Sequence, residues 1–269
     1  MATRPRTPAA GPWSRQRLAI VLGIAAVAAL TVIAGLSITL IRLLLATGSV
    51  PDDTTGVAAP ADINRRDQLA AEPMAEVPQD AGFTPDPALT PAPPISIPVA
   101  TNGRGPAGVA TGFPRTPEGA VGQLAAIEQV VLEEMSLPVT QEVHDAWTLS
   151  AAPGYEEWEL TDNVQSFLRS GQQGGQEKDS TTVVRAIPAM AMVKGTDGPE
   201  WVVACVLLDI QVSIRTEARM GYGHCSRMQW ADGRWQIGPG AAPARAPSAW
   251  PGSVAAVEAG WLTWQEAGS

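Results

Sequence analysis

Hydrophobic and polar positions divide this chain into four successive regimes. From Leu18 to Ile41 the sequence is continuously apolar, with no charge, no proline and nothing more polar than Ser or Thr. A run longer than about 20 residues matches a bilayer's ~30 Å hydrocarbon core. In lipid it must be helical, because each backbone N–H and C=O has to be satisfied within its own segment. The pattern predicts a transmembrane helix over 18–45. A cleaved signal peptide has an apolar region of about 7–15 residues and an A-x-A-like site. This run is longer and Leu44-Leu45-Ala46 is a poor cleavage site, so it reads as an uncleaved signal-anchor. Over 46–111 periodicity is lost, and prolines recur from Pro51 to Pro106 among Ala, Asp, Thr and Gly. That composition predicts a disordered Pro/Ala-rich linker, reaching on the order of 190 Å if fully extended.

Helical spacing sets in at Thr116, a good N-cap followed by Pro117 at the first helical position and Glu118 at the positive helix end. Val121, Leu124, Ile127 or Glu128, Val131 and Met135 form one inward stripe, and Leu137-Pro138 ends it. Further helices are predicted over Thr140–Leu149, with Val143, Ala146 and Trp147 on one face, and over Tyr155–Ser170, with Gly171 as C-cap. The period then becomes two. Strands are predicted over Thr182–Val193, with Pro188 suggesting an edge, over Trp201–Arg215 and over Ala218–Trp230. Asp232-Gly233 is a two-residue hairpin turn that pairs Trp230 with Trp235 and Met228 with Ile237. Helices followed by strands give an α+β class: about three helices on a curved antiparallel sheet of about four strands, over 112–240. In the C-terminal tail, 241–269, Ser253 caps a short helix with Val257, Trp261 and Trp264 along one side. That side either packs on its own domain or serves as an interaction tail.

Charge orients the anchor. The first fifty residues hold five arginines and no acid, whereas from Gly112 onward ten Lys and Arg face nineteen Asp and Glu. Arg15 and Arg17 precede the span within a cytoplasmic basic arm, 1–17, and Arg42 snorkels from its far end. Cations stay on the cytoplasmic side, so the N-terminus is inside and the remainder extracytoplasmic. An acidic exported domain is a poor ligand for nucleic acid or anionic headgroups.

Candidate chemistry is sparse. Cys205 and Cys225 sit at odd positions of adjacent strands, hence on one face, and a turn centred on Arg215 places them opposite each other. Outside the cytoplasm that arrangement permits a disulfide; two buried free thiols are the other reading. His224 neighbours Cys225 but points to the opposite face, so the two cannot easily cooperate as a Cys–His nucleophile. It reads as an inward or partly satisfied imidazole, and His144 as solvent-facing. Glu133, Glu134, Glu156, Glu157 and Glu159 fall on expected solvated helix faces. A buried carboxylate with a tyrosine would suit acid/base work, yet Asp209 and Tyr222 have opposite parity. No phosphate-loop, dinucleotide or zinc-protease motif occurs. The sequence therefore points to no catalytic residue, no cofactor and no metal site.

Several segments carry a resemblance: GFPRTPEGAV at 112–121, VACVLLDIQV and GHCSRMQW on the cysteine-bearing strands, DGRWQIGPG at 232–240 and SAWPGS at 248–253. They are similar to actinobacterial bitopic membrane proteins of integrative and conjugative elements. The layout resembles the TcpC-like scaffold subunits of conjugative type IV secretion machines, with one such domain here rather than two. The resemblance implies a nuclear transport factor 2-like cone that is not an enzyme. It also implies other membrane subunits, further copies of itself and the bilayer as partners, and no direct nucleic-acid binding by the exported domain. The alternative is a small-ligand or cell-wall binding module on the same cone.

Overall fold

Thr116 and Pro117 begin the central helix as their chemistry dictates: the threonine Oγ1 accepts a hydrogen bond from Gly119 N at 3.1 Å. The computed structural model describes residues 61–171, 175–213 and 217–268. The expected transmembrane helix over 18–45 and its flanking Arg15, Arg17 and Arg42 lie outside the described residues. Among those described, no helix is long and apolar enough to cross a membrane. In chain order the elements are α1 (Ala61–Ala71), β1 (Pro94–Ile97), α2 (Pro117–Glu134), α3 (Leu137–Trp147), α4 (Glu159–Ser170), β2 (Val183–Thr196), β3 (Trp201–Ser213), β4 (Glu217–Ala231), β5 (Arg234–Ile237), α5 (Val254–Glu258) and β6 (Leu262–Glu266). The class is α+β, with one curled sheet ordered β1-β6-β2-β3-β4-β5.

The long strands pair in the register that parity implies. Cys205 faces Cys225, Trp230 faces Trp235 and Met228 faces Ile237. Asp232 and Gly233 both take positive φ, 51° and 77°, as a hairpin turn matching strand twist requires. Two expected helix boundaries move. Pro138 lies in the first turn of α3, where its missing N–H costs nothing, so that helix starts at Leu137 under a Ser136 cap. Trp158 is extended, so a 3-10 turn over Tyr155–Glu157 is separated from α4.

The larger corrections concern the flanks. Ten consecutive residues of β3, Trp201 to Ile210, are buried, which requires cover on both sheet faces. Helices α2 to α4 fill the concave face around Leu124, Trp147, Val206 and Trp235. The convex face is covered by residues expected to be linker and tail. Ala70, Ala81 and Ala92 from one side, and Ala246, Ala249 and Trp261 from the other, pack on Val203, Leu207 and the two cysteines. Residues 61–111 are thus part of the folded unit rather than a disordered linker, and the unit extends well beyond 112–240. The segment has no periodicity of its own because the sheet supplies the apolar strip against which its scattered apolar residues close.

The sheet has six strands, not four. Pro188 is not on an edge strand, since β2 lies between β6 and β3. Its missing donor is tolerated because β6 meets β2 only at Met190–Thr263 and Ala191–Leu262, and the β2–β3 register shifts at the same point. In the tail, Ser253 Oγ caps α5 through Ala256 N at 3.2 Å, but the helix stops at Glu258 and Trp264 lies on β6.

Candidate functional site

One position of the α2 stripe is a carboxylate. Glu128 is fully buried among apolar neighbours, and burial of an ionised group demands a partner. That partner is His224, at an even, inward position of β4, with Nδ1 2.6 Å from Glu128 Oε1. Among the described residues, Glu128 Oε2 has no hydrogen-bond partner. Tyr222, two residues earlier on the same face, stacks its ring on the imidazole at 6.1 Å between centroids and 10° between planes. Its hydroxyl donates to Glu159 Oε1 at 3.0 Å and accepts from Asn163 Nδ2 at 2.7 Å, both on α4. A polar chain thus runs from α4 through two inward β4 positions to α2.

Burial raises the pKa of Glu128, aided by the field of Glu159 and opposed by His224. Burial alone would lower His224, but the charge and hydrogen bond of Glu128, with Glu159 behind them, raise it instead. Burial and the two carboxylates push Tyr222 well above its ordinary value. The Glu128–His224 pair therefore holds its shared proton more tightly than either group would in water. Chemically it is an acid–base dyad beside a phenol that keeps its proton. What reaches it is small: the niche bordered by Pro153, Trp158, Glu159, His224 and Gly238 offers about 30 Å³, room for a water or two.

The other candidates fall elsewhere. Cys205 and Cys225 form a disulfide, with Cα atoms 4.1 Å apart, on the convex face where Met74 Sδ lies 3.5 Å from the Cys225 sulfur. Asp209 is also convex, paired with Arg219 Nε at 2.5 Å and Gln211 Nε2 at 2.8 Å, and so is apart from Tyr222. His144 is not solvent-facing: it is 9% exposed, and its Nε2 lies 2.9 Å from Pro153 O, because α3 tucks that face under the 150s loop. Glu134, Glu156 and Glu157 are exposed, whereas Glu133 and Glu159 are half-buried with specific partners. Trp261 packs inward and its Nε1 donates to Pro247 O at 3.1 Å; Val257 and Trp264 are half-buried against the core. Among the described residues, no three His, Cys, Asp or Glu are grouped to hold a metal ion.

A second feature is outward. Beyond their two-residue contact, β2 and β6 splay around a cleft of about 590 Å³ lined mostly by apolar residues, Val99, Phe113, Ala125, Ile187, Pro188 and Trp264 among them, with Gln129, Gln265 and Glu266 as polar members. The β2 edge inside it is already capped: Ala186 N donates to Glu133 Oε1, and Ala186 O accepts from Gln129 Nε2, each at 3.1 Å. With Pro188 supplying no donor, strand addition is blocked, and the cleft offers apolar side-chain contact.

Reading the sequence missed the Glu128–His224 pair. The signal was present: a glutamate within the buried stripe of one helix and a lone inward histidine on the sheet it packs against. The chain matches no family model and no curated protein, and no solved structure matches its fold.

Proposed function

We propose that this chain is a membrane-anchored, non-enzymatic assembly subunit of a conjugative, type IV secretion-like DNA-transfer apparatus. Its extracytoplasmic unit is a nuclear transport factor 2-like cone working through protein contacts. The observation that carries this reading is where the space lies. The titratable cluster inside the curled sheet has room for about 30 Å³ of solvent, while the apolar cleft between β2 and β6 opens outward, with Val99 50% and Ile187 42% exposed. The buried Cys205–Cys225 disulfide supports placement outside the cytoplasm. The cleft's 590 Å³ also falls in the range of small-molecule sites, roughly 300–1,000 Å³, and this favours the second reading, an extracytoplasmic binder of a small apolar ligand or wall component.

Purifying the full-length protein from membranes, and identifying by mass what accompanies it, separates the two. Channel or transfer-ATPase subunits are expected, and Ile187→Asp is expected to cut both their recovery and DNA transfer by about tenfold, as for a charge placed in an apolar contact. Recovery of a small ligand with unchanged transfer would favour the binding module.

A further inference from the structure

Helix α1 is fastened to the convex face of the sheet mainly by polar groups. Arg66 Nε lies 2.6 Å and Arg65 Nε 3.7 Å from the Asp197 carboxylate in the β2–β3 turn. Asp67 Oδ1 lies 2.6 Å from Nη1 of Arg227, a side chain only 6% exposed whose Nε has no partner. Lys194 Nζ donates to the carbonyls of Ala70 and Glu72 at the helix end, at 2.7 and 2.5 Å. Among residues 65–71, only Leu69 and Ala70 bring apolar contact to the sheet. Beyond α1 the chain is exposed over 75–80 apart from half-buried Val77. A cleft of about 460 Å³ lies between this stretch and residues 245–248. Few buried apolar contacts, exposed connections and partly exposed ion pairs mark a segment that opens below the global unfolding free energy.

What this segment covers is the disulfide. Cys205 is fully buried and Cys225 6% exposed; Met74 rests on the Cys225 sulfur, and Arg227 stands two residues along the same face. We propose that residues 65–77 form a gate that lifts from the sheet while the rest stays folded, and that this opening admits a dithiol reductant to Cys205–Cys225. One thiolate of the reductant attacks a cystine sulfur to give a mixed disulfide. Its second thiolate then displaces the protein sulfur, leaving two cysteine thiols and a cyclic oxidised reductant. The gate does not depend on the transfer reading.

The test follows the reduction rate of the full-length chain in detergent with dithiothreitol, by alkylation and mass. Raising NaCl from about 50 to 500 mM should speed reduction about fivefold by screening the exposed pairs. Asp67→Asn should speed it about tenfold, since Arg227 then lacks its counter-ion only while the gate is shut. Asp197→Asn, which removes the partner of Arg65 and Arg66, is the second variant and should also speed reduction. The logarithm of the rate should rise with urea with less than about a quarter of the slope of global unfolding. A rate that tracks global unfolding in urea, and ignores salt and both variants, would overturn the gate.

Discussion

His224→Ala is expected to destabilise the folded unit by about 3–5 kcal/mol at pH 8, because it strands a buried carboxylate without its counter-group. Glu128 has no solvent exposure, and among the described residues its second oxygen is already without a partner, so no other side chain replaces the lost imidazole. Against a typical total of about 5–15 kcal/mol this is a large fraction, visible as a fall in Tm of about 10 °C for a unit of this size. The deficit shrinks as pH falls, since the carboxylic acid form carries no charge to bury. Replacing both partners, Glu128→Leu with His224→Leu, should recover most of the loss. The same pair sets the pH dependence of the wild-type protein. Both groups have raised folded-state pKa values, so the folded chain binds protons more tightly than the unfolded one. The His224 contribution is fully present below about pH 6.5 and is lost as pH rises through its raised value, while that of Glu128 is full only below about pH 4.5 and is lost as pH rises through its own raised value. Thermal melts from pH 6 to 9 should therefore show declining Tm in the wild type and a flatter profile in the double variant. A double variant as unstable as His224→Ala would show that packing, not charge, dominates the site.

A fragment beginning at Gly112 is expected not to fold. It lacks α1, β1 and the chain between them, and would expose the strip of Trp201, Val203, Leu207 and the disulfide that Ala70, Ala81 and Ala92 cover. It also loses Ile97, 1% exposed, from the inner core. Contiguous apolar surface of that extent drives aggregation. A fragment beginning at Ala61 keeps every described element and should give a cooperative melt. Cooperative unfolding of both fragments with equal midpoints would return residues 61–111 to the status of a linker.

Legibility followed the reach of each physical signal. Strand parity and the Asp232-Gly233 turn are local and strict, so the β3–β4–β5 registers, and with them the opposition of Cys205 and Cys225, could be read residue by residue. The convex cover could not. Its order is imposed by a surface about a hundred residues away, and prolines that look like linker serve equally well in an extended strap. Odd positions of β3 did hint at it: Val203, Cys205 and Leu207 are as apolar as their even neighbours, which a one-sided sheet would not need. Glu128 was half legible, as a charged residue competing with Ile127 for the inward stripe. Its partner was invisible because nothing in sequence links an α2 position to one ninety-six residues later. The cleft between β2 and β6 is unreadable, since Val257, Trp261 and Trp264 recur at helical spacing and give no sign of the strand that Trp264 occupies.

The most direct measurement is the thiol state of the protein in living cells, trapped by an alkylating agent under denaturing conditions and read as mass. An exported, folded unit with Cys205 facing Cys225 should take up no label until a reductant is added, and then two labels per chain. Two labels without reductant would mean that the cysteines live as thiols, and would contradict the extracytoplasmic placement on which the proposed role depends.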